Sequence, residues 1–153
     1  MKIYKIKMYI KKIPIIGNFI SFIKNIKIKK EEKKKINALK YSGENAVNIL
    51  FNIFEENKID AFLNFGSLLG MVRDNKFMEY DDDIDYGIIV DKKFSWENIE
   101  KILEQNNIYK VRQFKYNNVI TEQTYKYENL TIDLFACFPE KENLISYFYY
   151  REN

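Results

Sequence analysis

The sequence predicts an α/β (α+β) chain: a mixed β-sheet flanked by helices, preceded by a basic amphipathic arm. Three observations carry this expectation. Apolar residues recur at helical spacing before residue 57 and again over 68–72. Short β-rich runs then follow one another from Tyr109 to Phe138. The order helix, strand, helix, strand, helix, then several strands suits a single layered sheet. At 153 residues, 46% hydrophobic and 16% aromatic, the chain is too apolar for disorder and long enough for one core.

The net charge of +3 divides unevenly. Residues 1–35 hold twelve Lys against Glu31 and Glu32, a net +10, while residues 36–153 hold 13 basic and 20 acidic groups, a net −7. Two regions follow from this: an arm over 1–35 and a globular domain over 36–153. In the arm, apolar residues at 15, 16, 19, 20, 23 and 26 share one helical face, with Lys24, Lys27, Lys29 and Lys30 at its end. Such a helix suits an anionic membrane interface, where each nearby Lys contributes about 1 kcal/mol. Packing on its own domain or on a partner is equally a use for that face. The uncharged stretch Ile13–Ile23 is short of the roughly 20 apolar residues a membrane span needs. Residues 29–35 read as a linker or a helix start. No aromatic-basic groove or nucleic-acid motif is present, so no nucleic-acid partner is expected.

In the domain, residues 44–57 place apolar groups at 46, 47, 49, 50, 53 and 54, which predicts a helix after Gly43. Ala61–Phe65 reads as a buried strand, Leu68–Arg73 as a short helix ending near Asp74-Asn75, and Asp83–Val90 as a strand. Ser95 can cap a helix over Trp96–Asn106, with Glu97 and Glu100 near its N-terminus. Strands are expected at Tyr109–Tyr116, Val119–Tyr127 and Leu130–Phe138, joined by turns at Asn117-Asn118 and Glu128-Asn129. Leu144–Tyr150 adds one more. The single cysteine, Cys137, sits in an apolar run and reads as a buried, inert thiol.

The chain has no histidine. That excludes Ser-His-Asp and Cys-His catalysis and H-E-x-x-H metal sites. Chemistry must come from carboxylates, Lys, Arg, Tyr and metal.

Residues 66–85 concentrate that chemistry. Five acidic residues fall within positions 79–85, ending in Asp83-Ile84-Asp85. Side chains at i and i+2 of a strand share a face, so Asp83 and Asp85 point one way and Ile84, Tyr86 and Ile88 the other. Two such carboxylates grip a hard cation, for which Mg²⁺ or Mn²⁺ is suited. Downstream, Asp133 is embedded in the apolar run Thr131–Phe135, where a lone carboxylate is costly unless paired or metal-bound. If its strand lies beside Asp83–Val90, the site gains a third ligand. Gly66 and Ser67 open a helix whose N-terminal N–H groups suit a phosphate, and Arg73 adds a fork of donors. Taken singly, a Gly-Ser pair is a turn, an acidic run a solvated loop and an arginine a surface ion-pair partner. Together and in this order, they point to phosphoryl chemistry.

The pattern resembles the nucleotidyltransferase superfamily: a strand ending in Gly-Ser, an Asp-x-Asp strand, and a third Asp on a later strand. Gly66–Arg73 followed by Asp81–Asp85, with Ile132-Asp133-Leu134-Phe135 further on, closely resembles the LicD family, which includes the fukutin-related enzymes. The resemblance covers about residues 42–138. It implies a nucleotidyltransferase-like fold and a transferase that moves a phosphate-linked group, such as phosphocholine, from a CDP-activated donor to a hydroxyl of a cell-surface glycan. By the same resemblance Asp83 and Asp85 hold Mg²⁺, Asp133 completes the metal site or deprotonates the acceptor, and Gly66, Ser67 and Arg73 bind the donor phosphates. A cytoplasmic enzyme is expected, with the arm either touching the inner membrane face or packing on the domain. Members of that family continue past the third motif, so a domain incomplete at its C-terminus is expected.

Overall fold

A computed structural model describes residues 14–147, with side-chain surroundings given from residue 21. The Lys-Ile alternation of residues 1–13 and positions 148–150 of the last expected strand lie outside the described residues. The chain divides into two compact units, residues 1–34 and 35–153.

The elements are α1 (Pro14–Glu56), β1 (Ala61–Leu63), α2 (Phe65–Asp74), β2 (Ile84–Ile89), α3 (Trp96–Gln105), β3 (Tyr109–Tyr116), β4 (Val119–Tyr127), β5 (Leu130–Glu140) and β6 (Asn143–Ser146). Six strands form one mixed sheet in the order β1-β2-β5-β4-β3, with β6 also pairing β5. β2 and β5 are parallel, and the other pairs are antiparallel. The parallel pair needs a crossover, which α3 and the β3–β4 hairpin supply.

Each expected strand is present with small changes of length. The Asn117-Asn118 turn has φ of 48° and 66°, the left-handed pair that a tight hairpin requires. Ser95 caps α3 as expected, its Oγ accepting from the Asn98 N–H at 3.3 Å.

Three boundaries differ. First, residues 29–35 are helical and continuous with the helix expected at 44, so α1 is one helix of 43 residues and no linker divides it. Lys and Glu are good helix formers, so the charge run propagates the helix. Gly43, expected to precede it, lies inside it, where a side chain would strike Phe77 and Leu39. Second, β1 stops at Leu63, because Asn64 is already the N-cap of α2. Third, α2 begins at Phe65, so Gly66 and Ser67 lie in its first turn and do not precede it.

One sheet face holds the core. Ile84, Tyr86 and Ile88 of β2, Ile132 and Leu134 of β5 and Tyr125 of β4 are buried against Leu50 and Phe54 of α1 and Ile99 and Leu103 of α3. Phe54 meets Tyr86 edge-on at 5.3 Å. Fully burying a side chain of this size contributes about 1.5–3 kcal/mol. Cys137 is buried, as its apolar run implied.

Helix α2 follows β1 and meets β2 through its first turn, and its inward residues are small. Ser67 and Gly70 are buried, while Leu68, Leu69 and Val72 are 42%, 52% and 77% exposed. At its C-terminus Asn75 turns left-handed, with its N–H on the Met71 carbonyl at 3.1 Å. The chain then folds back so closely that a Cβ on Gly70 would lie 2.6 Å from the Lys76 carbonyl oxygen. Gly70→Ala is therefore expected to lower stability by about 1–3 kcal/mol through overpacking. Alanine's better helix propensity, about 1 kcal/mol, opposes this. Urea unfolding of both proteins measures the sign.

A carboxylate cluster beside a helix N-terminus

Asp85 on β2 sits directly opposite Asp133 on the parallel neighbour β5. Asp83, in the bend just before β2, lies on the same side by strand alternation. One carboxylate oxygen from each of the three residues lies within 4.8 Å of the others. The arrangement expected from spacing and adjacency is thus assembled: β5 does lie beside the Asp-x-Asp strand.

The row continues across the sheet. Thr124 on β4 pairs with Asp133, and Arg112 on β3 pairs with Thr124. Arg112 Nε donates to Thr124 Oγ1 at 2.9 Å, and the Thr124 hydroxyl in turn bonds the Asp133 carboxylate. Asp85, Asp133, Thr124 and Arg112 therefore form one cross-strand line, with the positive end at the sheet edge. Glu122, two residues before Thr124 on the same strand face, is buried as well. Lys35 of α1 binds Asp82 at 2.8 Å and sets a second positive charge near Asp83 and Asp133.

Burial and mutual repulsion raise these acids. Asp83 is pushed up to about 6, chiefly by burial and then by the Asp133 charge, against the pull of Lys35. Asp85 is pushed up to about 8 by burial and then by Asp83 and Asp133. Glu122 rises to about 7 through burial and the Asp133 charge, with Arg112 opposing. Asp133 is also raised by burial, against its hydrogen bond from Thr124 and the charge of Arg112. Crowded, half-dehydrated carboxylates of this kind are what a divalent cation relieves.

Ser67 Oγ accepts from the Asp85 backbone N–H at 2.9 Å. This ties the first turn of α2 to the strand and leaves the hydroxyl proton to donate. Gly66 lets the loop come close: a Cβ there would lie 3.1 Å from Met78 Cε and 3.2 Å from Asp81 Oδ2. Asp81 Oδ2 and Asp133 Oδ1 are buried with no hydrogen-bond partner among the described residues. An orphaned oxygen within the three-carboxylate cluster, on Asp133, and another on nearby Asp81 are chemistry that fits a divalent cation.

Arg73 is placed differently from the other expected site residues. It lies in the last turn of α2, about 9 Å along the helix axis from Ser67. Its guanidinium donates to Asp74 through Nε at 2.8 Å and Nη2 at 2.6 Å. The structure supplies Lys35 and Arg112 as the positive charges nearest the acids. Sequence reasoning missed both, and Glu122 as well, and it gave Asp81 of the acidic run no role of its own. Glu122 carries one signal, being a charged residue inside an otherwise β-rich run; Lys35 carries none.

Residues 58–153 match the model for the LicD/FKTN/FKRP nucleotidyltransferase domain. The chain belongs to this family. The cluster residues, the α2 glycine-serine pair and Glu122 all fall within the matched LicD/FKTN/FKRP domain, whereas Lys35 precedes it. No curated protein matches the chain. Solved structures that share its fold include two of ANT(2'')-Ia. One is the crystal structure of ANT(2'')-Ia in complex with adenylyl-2''-tobramycin (TM-score 0.50, 13% identity, 65% of this chain and 52% of that chain). The other is the solution structure of the antibiotic-resistance factor ANT(2'')-Ia (TM-score 0.54, 12% identity, 70% and 53%). The chain thus spans about half the length of those proteins. The nucleotidyltransferase-like fold that the resemblance implied is the fold observed.

The raised acids fix the sign of a pH effect. Their unfolded value is near 3.8, while folded Asp83 and Asp85 titrate near 6 and 8. The native state therefore holds extra protons between about pH 4 and 8, and this contribution to stability is lost as pH rises through that window. In chelator-treated protein the cluster is expected to depress Tm progressively from pH 5 to pH 8. Asp85→Asn should raise Tm at pH 8, and Mn²⁺ should raise the wild-type Tm more at pH 8 than at pH 5.5. Melting curves followed by circular dichroism provide the check.

Proposed function

We propose that this LicD-family domain is a metal-dependent phosphotransferase. It moves a phosphate-linked group, phosphocholine or a similar alcohol phosphate, from a CDP-activated donor to a hydroxyl of a cell-surface glycan. The observation that carries this reading is the convergence of the Asp83, Asp85 and Asp133 carboxylate oxygens within 4.8 Å, beside the first turn of α2. Bound by those three carboxylates, Mg²⁺ or Mn²⁺ would neutralise donor phosphate charge as the leaving group departs.

The chain's own groups do the rest. The Gly66 and Ser67 end of α2 offers its N–H groups and the Ser67 hydroxyl proton to phosphate oxygens. Lys35 and Arg112 add positive charge on either side of the acids. The acceptor oxygen attacks the phosphorus that bears the transferred group, and the P–O bond to CMP breaks. The acceptor proton passes to a carboxylate. Asp133 either completes the metal site or takes that proton, and Glu122, titrating near 7, is a second group suited to hold it. Arg73, paired with Asp74, binds donor phosphate only if it exchanges that partner.

A second reading has its own support. One structural neighbour is in complex with adenylyl-2''-tobramycin, an adenylylated compound. The same cluster serves transfer of a nucleoside monophosphate from an NTP, in which the acceptor attacks the α-phosphorus and pyrophosphate leaves. Incubation with CDP-choline, Mg²⁺ and glycan should release CMP. Pyrophosphate released from an NTP instead would select the second reading. Asp83→Asn and Asp85→Asn are each expected to reduce turnover by about 100-fold or more, the scale on which single electrostatic groups act.

We further propose that the arm, residues 1–35, touches an anionic membrane surface. Among the described residues Phe22, Ile23 and Ile26 are 60%, 40% and 50% exposed beside Lys24 and Lys27. No described helix is long and apolar enough to cross a membrane, so the contact is peripheral. Co-sedimentation with phosphatidylserine vesicles, but not phosphatidylcholine vesicles, is expected at low salt. It should weaken as salt rises. Equal pelleting with both would remove the electrostatic basis.

A further inference from the structure

Eight described non-glycine residues have positive φ. Seven of them, Lys58, Asn75, Asn107, Asn117, Asn118, Glu128 and Lys141, occupy turns or bends. Phe65, at φ 41°, is the exception: a bulky aromatic at the first position of α2. Left-handed backbone crowds a Cβ against the following carbonyl, and a residue with a large side chain keeps it only where its surroundings impose it. A glycine is the very next residue, so the strained position holds the aromatic side chain and the permissive residue lies one place on.

The strained residue carries a ring that packs on β5. Phe65 meets Phe135 edge-on at 4.9 Å and 85°. Phe135 follows Asp133 by two positions on the same strand face, a separation of roughly 7 Å. Phe135 is buried at 7%, whereas Phe65 keeps 41% of its surface exposed. The outer ring is thus partly exposed and is held edge-on by an inner ring on the acid-bearing face of β5, one residue before the Gly66-Ser67 turn. Aromatic rings stack on nucleobases with little dependence on base identity.

We propose that Phe65 is the stacking contact for the base of a nucleoside diphosphate whose phosphates lie at the Asp83, Asp85 and Asp133 cluster. The inference rests on the phosphotransfer reading above and adds to it the residue that holds the nucleoside. It also gives the strained backbone a use, since that position directly precedes the Gly66-Ser67 turn.

Calorimetric titration of the full chain with CDP and with inorganic pyrophosphate, each with Mn²⁺, tests this directly. Pyrophosphate keeps the phosphates and lacks the base. Phe65→Ala and Phe65→Gly are expected to weaken CDP binding about tenfold or more and to leave pyrophosphate binding within about twofold. Phe65→Gly suits the backbone conformation better than phenylalanine does, so its melting temperature guards against simple unfolding. Equal losses for both ligands would make Phe65 a structural residue and overturn the proposal, as would unchanged CDP binding in both variants. A wild-type protein that binds pyrophosphate but gains nothing from the cytidine also overturns it, with the phosphate site left standing. A wild-type protein that binds neither removes the phosphotransfer reading itself.

Discussion

The parallel pairing of β2 with β5 is the constraint on which the rest of the structure depends. It places Asp85 and Asp133 opposite each other on one face and, by strict alternation, Ile84, Tyr86, Ile132 and Leu134 on the other. The two consequences are inseparable. A one-residue slip would bury the carboxylates in the core and expose the core to water. Burial of the apolar face thus holds in register a set of acids that would otherwise separate. Their raised pKa values record their own burial first, and the repulsion among them second.

Helix α2 is shaped by the same site. A helix on a sheet ordinarily turns large apolar residues inward. Here Ser67 and Gly70 face in, and Leu68, Leu69 and Val72 face out. Small inward residues let the helix approach closely enough for Ser67 to take the Asp85 N–H and for the loop after the helix to bring Asp81 against Gly66. Close approach, and not burial of bulk, is what this contact supplies. The Gly66-Ser67 turn therefore has a structural task of its own.

Charge is balanced from a distance. The acids come from three adjacent segments of the sheet, whereas the cations that temper them come from α1 and from the edge strand β3. The Thr124 hydroxyl links Arg112 to Asp133 without direct ion pairing. The carboxylate is held in place while Asp133 Oδ1 stays without a partner. A direct Arg-Asp pair would occupy the oxygens that a cation needs.

Much of this was legible in the chain itself, because local periodicity is a local property. The alternation at 83–90, the β-rich run at 130–138, the Ser95 cap and the Asn117-Asn118 turn each follow from neighbouring residues, and each is found. Residues 29–35 left two readings open, a linker or a helix start, and only continuity with the segment packed through Leu39 and Leu50 decides for helix. Glycine at 66 misled about the helix start, since the neighbouring Phe65 bears the unusual φ. The sequence by itself determined the sheet's inner and outer faces, the two clustered acids at 83 and 85, the absence of histidine chemistry and the family. Only the tertiary structure decided that Arg112, Thr124, Asp133 and Asp85 stand in one line, that Glu122 and Lys35 join the site, and that Arg73 pairs with Asp74. Those relations depend on strand register and helix placement across tens of residues, and no spacing along the chain encodes them.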